Sequence, residues 1–117
     1  MRYMFLLFND EDRFEGPEDP RMAEEGAAYG AFTGAVNEAG AFRSGDALQG
    51  SATATVVRAG ENGTPLSTDG PFAETKEQLV GFYILECRDL DEAIEWAAKI
   101  PAAGHGAVEV RPIRELG

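Results

Sequence analysis

Leu79-Val80-Gly81-Phe82-Tyr83-Ile84-Leu85 is a nearly all-apolar run, and Asp89-Leu90-Asp91-Glu92-Ala93 follows it after a short gap. The run predicts a β-strand covered on both faces. The second segment is a capping box that starts a helix: Asp89 accepts from backbone N–H groups while Glu92 reaches back. Leu90, Ala93, Ile94, Ala97 and Ile100 are expected to line the buried face of that helix, with Trp96 at its edge and Pro101 as its stop. Residues 107–113 then alternate, Val108 and Val110 on one face, Glu109 and Arg111 on the other, as a half-buried strand does.

Upstream the same order appears once more. Residues 2–8 are a second apolar strand with aromatics at 3, 5 and 8. An acidic loop over 9–18 leads to Asp19-Pro20, which reads as N-cap and first helical position. Met22, Gly26, Tyr29, Phe32 and Val36 follow at helical spacing, and Gly40 is placed to end the helix. A short strand is expected over 41–49. Thr53 to Arg58 reads as a strand by its β-branched content, and Asn62-Gly63 as the turn of a hairpin returning over 64–68. The pattern predicts an α+β, ferredoxin-like split β-α-β fold: an antiparallel sheet, two helices on one face, and an extra hairpin. Two helices cover only one sheet face, yet residues 3–8 and 79–85 are apolar on both. A second copy is therefore expected on the other face, as a homodimer in a dimeric α/β-barrel-like assembly.

The chain has 117 residues, a mass of 12.6 kDa and a net charge of −11, which fits one domain over 1–117. Ten basic residues against 21 acidic ones leave little cationic surface for a polyanion, so no nucleic-acid partner is expected. Met1-Arg2 leads straight into a six-residue apolar run closed by Asn9-Asp10-Glu11-Asp12. That run is too short to span a membrane and lacks a cleavage site, so a cytoplasmic protein without membrane contact is expected. Cys87 has no partner for a disulfide, in keeping with a reducing compartment.

Between hairpin and central strand lies Thr68-Asp69-Gly70-Pro71-Phe72-Ala73-Glu74-Thr75-Lys76-Glu77-Gln78-Leu79. Together with Gly81-Phe82-Tyr83, Asp89 to Ala93, Glu95 to Ala98 and Val108 to Ile113, it resembles the YCII-like family, in the branch named DGPF for its Asp-Gly-Pro-Phe motif. The resemblance covers nearly the whole chain and implies the same ferredoxin-like dimer. It implies enzyme-like relatives in which a His and an Asp pair at the dimer cleft. One characterised activity in the wider family removes chloride from a chlorinated hydroquinone. It also implies a regulatory link, because genes of this branch often lie beside those of extracytoplasmic-function sigma factors. This chain departs from the His–Asp pattern. The family's histidine lies on the first helix, where this chain has none, and the only histidine is His105 in Gly104-His105-Gly106.

Asp69 is the candidate general base, and equally a turn residue capping its own backbone. His105 is the candidate proton carrier, with a side chain that titrates near neutrality, or a plain loop residue. Arg58 and Lys76 are candidate holders of an anionic substrate, or members of a surface ion-pair network. Glu74 and Glu77 flank Lys76 on the same rim. They are further candidate substrate contacts; without a His or Cys beside them they are at best a hard-cation site, and no metal or cofactor is expected. Phe72 and Tyr29 are candidate pocket aromatics. Two functional readings result: a small acid–base enzyme, lyase or hydrolase-like, acting on a small anionic or aromatic molecule, and a non-catalytic ligand-sensing or protein-interaction module linked to a sigma factor.

Overall fold

The structure is a computed structural model and describes residues 1–116. In chain order it comprises β1 (Arg2–Asp10), α1 (Pro20–Glu38), β2 (Phe42–Ala47), β3 (Thr55–Ala59), β4 (Pro65–Asp69), β5 (Glu77–Glu86), α2 (Leu90–Lys99) and β6 (Ala107–Pro112). Strands β2, β5, β1 and β6 lie in that order in one fully antiparallel sheet, the ferredoxin-like arrangement. Strands β3 and β4 form a separate two-stranded ribbon.

The alternation in β1 sets the layers. Tyr3, Phe5, Leu7 and Asn9 are buried toward the helices, while Met4, Leu6 and Phe8 point the other way and stay half-buried. In β5, Tyr83 and Leu85 join the buried side and Phe82 and Ile84 the open one. Phe32 of α1 centres the core, edge-on to Tyr83 at 5.1 Å and to Trp96 at 6.0 Å between ring centroids. Cys87 is buried at the end of this core, and burial pushes its thiol up to about 11, so it stays protonated and unreactive at neutral pH.

Both helix starts form as their sequences require. Asp19 caps α1 by accepting from the Arg21 N–H at 3.0 Å, and hydrogen bonds from Arg21 hold its carboxyl well below the usual range. At the other end Gly40 has φ +74°, and Ala41 N–H donates to the Val36 carbonyl at 2.9 Å, the six-to-one bond of a glycine-ended helix. In α2, Asp89 accepts from Glu92 N–H at 2.9 Å, and Glu92 reaches back to the Arg88 N–H at 3.0 Å. The buried face of α2 differs from the expectation. Ala93, Ala97 and Ile100 are buried, but Leu90 and Ile94 are 50% and 52% exposed. The indole of Trp96 wedges between the two helices, so the face turns toward residues 93, 96, 97 and 100 and away from 90 and 94.

The first half of α1 buries no side chain completely, whereas Phe32 and Val36 in its second half are fully packed. The helix therefore sits tightly over the sheet at one end only, and a cavity opens under the other.

Candidate functional site

The cavity has a volume of about 700 Å³, large enough for a small organic molecule. Met22, Glu25, Tyr29 and Thr33 of α1 form one wall and Leu7, Val80 and Tyr83 of the sheet another; Phe14 and Phe42 close the sides. Apolar side chains dominate its lining, with charged ones on Asp10, Glu11 and Asp46 and at the end held by Glu25. There Arg13 Nη1 donates to Glu25 Oε2 at 2.7 Å, and His105 Nε2 approaches Glu25 Oε1 at 3.1 Å. On its other side His105 Nδ1 lies 3.0 Å from Asn9 Oδ1.

Both histidine nitrogens thus face oxygens. With Nδ1–H given to Asn9, a neutral ring would turn the Nε2 lone pair toward a carboxylate. The other neutral tautomer places Nε2–H toward Glu25. The 3.1 Å approach has ion-pair distance without hydrogen-bond alignment, and Glu25 Oε1 is buried with no hydrogen-bond partner among the described residues. Arg13 holds the second carboxylate oxygen, and His105, a third exposed, connects the pair to solvent. The arrangement is a carboxylate–imidazole pair with the Glu25 end on the cavity and the His105 end near water. Beside it, burial and the Glu25 carboxylate push the Tyr29 phenol up to about 12, so its hydroxyl remains a hydrogen-bond donor at neutral pH. Across the cavity Tyr83 and Thr33 share a hydrogen bond of 2.8 Å between their hydroxyls.

Local backbone makes this possible. Gly106 follows the histidine where a Cβ would lie 2.0 Å from the Phe8 carbonyl oxygen, so only glycine lets this loop press against β1. Gly106→Ala is expected to displace the loop, break the Asn9–His105 contact and destabilise the fold by roughly 1–3 kcal/mol, the usual cost of overpacking. Urea denaturation together with the His105 ring NMR shifts checks this.

The residues singled out from sequence divide into groups. Tyr29 lines the cavity. His105, Lys76 and Glu77 come together, with Asp10 and Arg13, around a shallow depression on the solvent side of the pair. Glu74 lies with Lys76 in a second depression, beside Asp10 and Glu11. Arg58 stacks over Phe72 at 5.5 Å on the projecting ribbon. Asp69 ends β4 on that ribbon, exposed and paired in register with Thr55, and it lines neither the cavity nor the depression beside His105. The exposed Arg111 and Glu109 approach to 3.7 Å as the strand pattern implies. Glu25, Asn9 and Arg13 escape a motif-based reading. Glu25 shares the helical face of Met22 and Tyr29, a carboxylate on an otherwise apolar stripe. Asn9 continues the buried period of Tyr3, Phe5 and Leu7 as a polar residue. Those two signals are visible in the sequence; Arg13 carries none.

The chain matches the family described as YCII-related domain across residues 1–117. It is also 38% identical over 120 residues to "Uncharacterized protein R00369" of Rhizobium meliloti (strain 1021), an alignment that covers 97% of this chain and 92% of that protein. The chain belongs to the YCII-related family. Among the described residues no helix is long and apolar enough to cross a membrane.

Proposed function

We propose that this protein is a small acid–base enzyme whose Glu25–His105 pair exchanges a proton with a molecule held in the cavity under α1. One observation carries the reading: the Glu25 carboxylate, which lines the cavity, stands 3.1 Å from the Nε2 of His105, which lies outside the cavity in the depression behind it. The pair resembles the family's His–Asp pair with its parts redistributed, the acid on the first helix and the histidine in the loop before β6. The substrate that suits the cavity is compact and aromatic, with one ionisable group directed at Glu25 and Tyr29. Arg13, rather than Arg58 or Lys76, is the cation that borders this cavity.

A second reading, a ligand-sensing module linked to sigma-factor regulation, uses the same cavity without turnover. It is favoured by the engagement of both His105 nitrogens. In either reading the half-buried Met4, Leu6, Phe8, Phe82 and Ile84 give a second copy an apolar sheet face to cover, and the unpaired Cys87 suits the cytoplasm.

A thermal-shift screen of phenols and aromatic acids tests the site. A ligand at a hundred times its dissociation constant adds about 2.7 kcal/mol of stability. Hits are expected to perturb the Tyr29 ring signals, and turnover of any hit separates enzyme from sensor. A screen whose hits all leave Tyr29 unperturbed would remove the cavity from consideration.

A further inference from the structure

The β3–β4 ribbon pairs only with itself and stands outside the main sheet. The chain has a radius of gyration of 16.3 Å, against roughly 13 Å for a compact chain of this length. On the ribbon and the turn after it, Val57, Leu66 and Phe72 are 62%, 58% and 77% exposed. A lone two-stranded ribbon is marginally stable in water, so one with this much bare apolar surface calls for a second surface to lie on. The ribbon also carries a cation without a counter-ion: Arg58 stacks on Phe72 and makes no ion pair among the described residues.

The matching surface is the mouth of the cavity. Met22 and Leu48, both on its lining, are 42% and 47% exposed. Four carboxylates line the cavity, on Asp10, Glu11, Glu25 and Asp46, against the single cation of Arg13. Glu25 is taken by Arg13, and Glu11 accepts from the Ser51 N–H at 2.7 Å, whereas the exposed Asp46 has no ion-pair partner among the described residues. No residue of β3 or β4 lines the cavity, although the segment leading to the ribbon leaves from its edge at Gly50. The chain's own ribbon therefore leaves the mouth uncovered.

We infer that in a two-fold dimer the ribbon of each copy lies across the cavity mouth of the other, with Leu66 and Phe72 against Met22 and Leu48, and Arg58 paired with Asp46. Apolar contact ringed by a charge pair is the usual composition of a specific interface, and two-fold symmetry forms both contacts at once. Each site is then closed by the partner, which excludes water from a cavity that one chain leaves open. The inference stands on surface and charge and does not depend on the acid–base reading.

The test uses the full-length protein carrying both Arg58→Cys and Asp46→Cys. Under mild oxidation a covalent dimer is expected as the main species on a non-reducing gel, with neither single variant cross-linking to the same extent. Arg58→Glu is expected to weaken dimerisation about tenfold or more by sedimentation equilibrium, and adding Asp46→Arg to restore it. A monomer at micromolar concentration overturns the inference. So does a disulfide formed within one chain, which would make the ribbon a lid on its own cavity. A dimer indifferent to both charge changes also overturns it, since in that dimer the ribbon does not meet the partner's cavity mouth.

Discussion

Glu25→Gln is expected to lower turnover of a cavity-bound substrate by about 10²–10⁴-fold, the range for loss of a positioned proton-transfer group. The substitution keeps the side chain's volume and leaves an oxygen for Arg13, but the amide cannot share a proton with His105 Nε2. His105→Gln is expected to cut in the same direction, because it removes the group joining Glu25 to solvent. Thermal denaturation of both variants separates loss of chemistry from loss of fold. Asp69→Asn is the internal control. It changes a carboxylate on the exposed ribbon and is expected to leave turnover unaltered. Full activity in Glu25→Gln, or a loss in Asp69→Asn as large as that in Glu25→Gln, would reject this assignment.

Phe5→Ala is expected to cost about 3–5 kcal/mol, the usual penalty for emptying an aromatic site in a packed core. Phe5 is fully buried at the middle of β1, opposite Tyr83 on β5 and Val110 on β6. Against a total stability of about 5–15 kcal/mol, that loss leaves a marginal protein, visible as a large fall in the urea midpoint. Met4→Ala, one residue away on the open face, provides the contrast. Met4 is half-buried in the single chain and is expected to cost much less. A Met4→Ala penalty that matches Phe5→Ala and grows with protein concentration would show that the open face is packed in an assembly.

Much of the architecture was legible because it depends on local rules. The period-two burial of β1, the Asp19 and Asp89 caps, the positive φ at Gly40 and at Asn62-Gly63, and the end of α2 before Pro101 all follow from backbone chemistry within a few residues. The orientation of α2 was not legible in this way. Leu90 and Ile94 are as apolar as the residues that are buried, and the bulk of Trp96 against Phe32 sets the helix's rotation.

The site follows the same division. Glu25 and Asn9 show in sequence as polar residues at apolar positions of a helical and a strand period, a local anomaly that needs no neighbours to be noticed. Their association with His105, 80 and 96 positions further along the chain, comes from the pairing of β6 with β1 and from the close approach that Gly106 permits. The Asp69 motif shows the converse. Its glycine and proline specify a turn from nearby backbone alone, and that turn carries Asp69 out along the ribbon, away from the histidine. Periodicity and capping act over a handful of residues and can be read from the chain. Which carboxylate meets the histidine depends on contacts between distant segments, and those exist only once sheet and helices have packed.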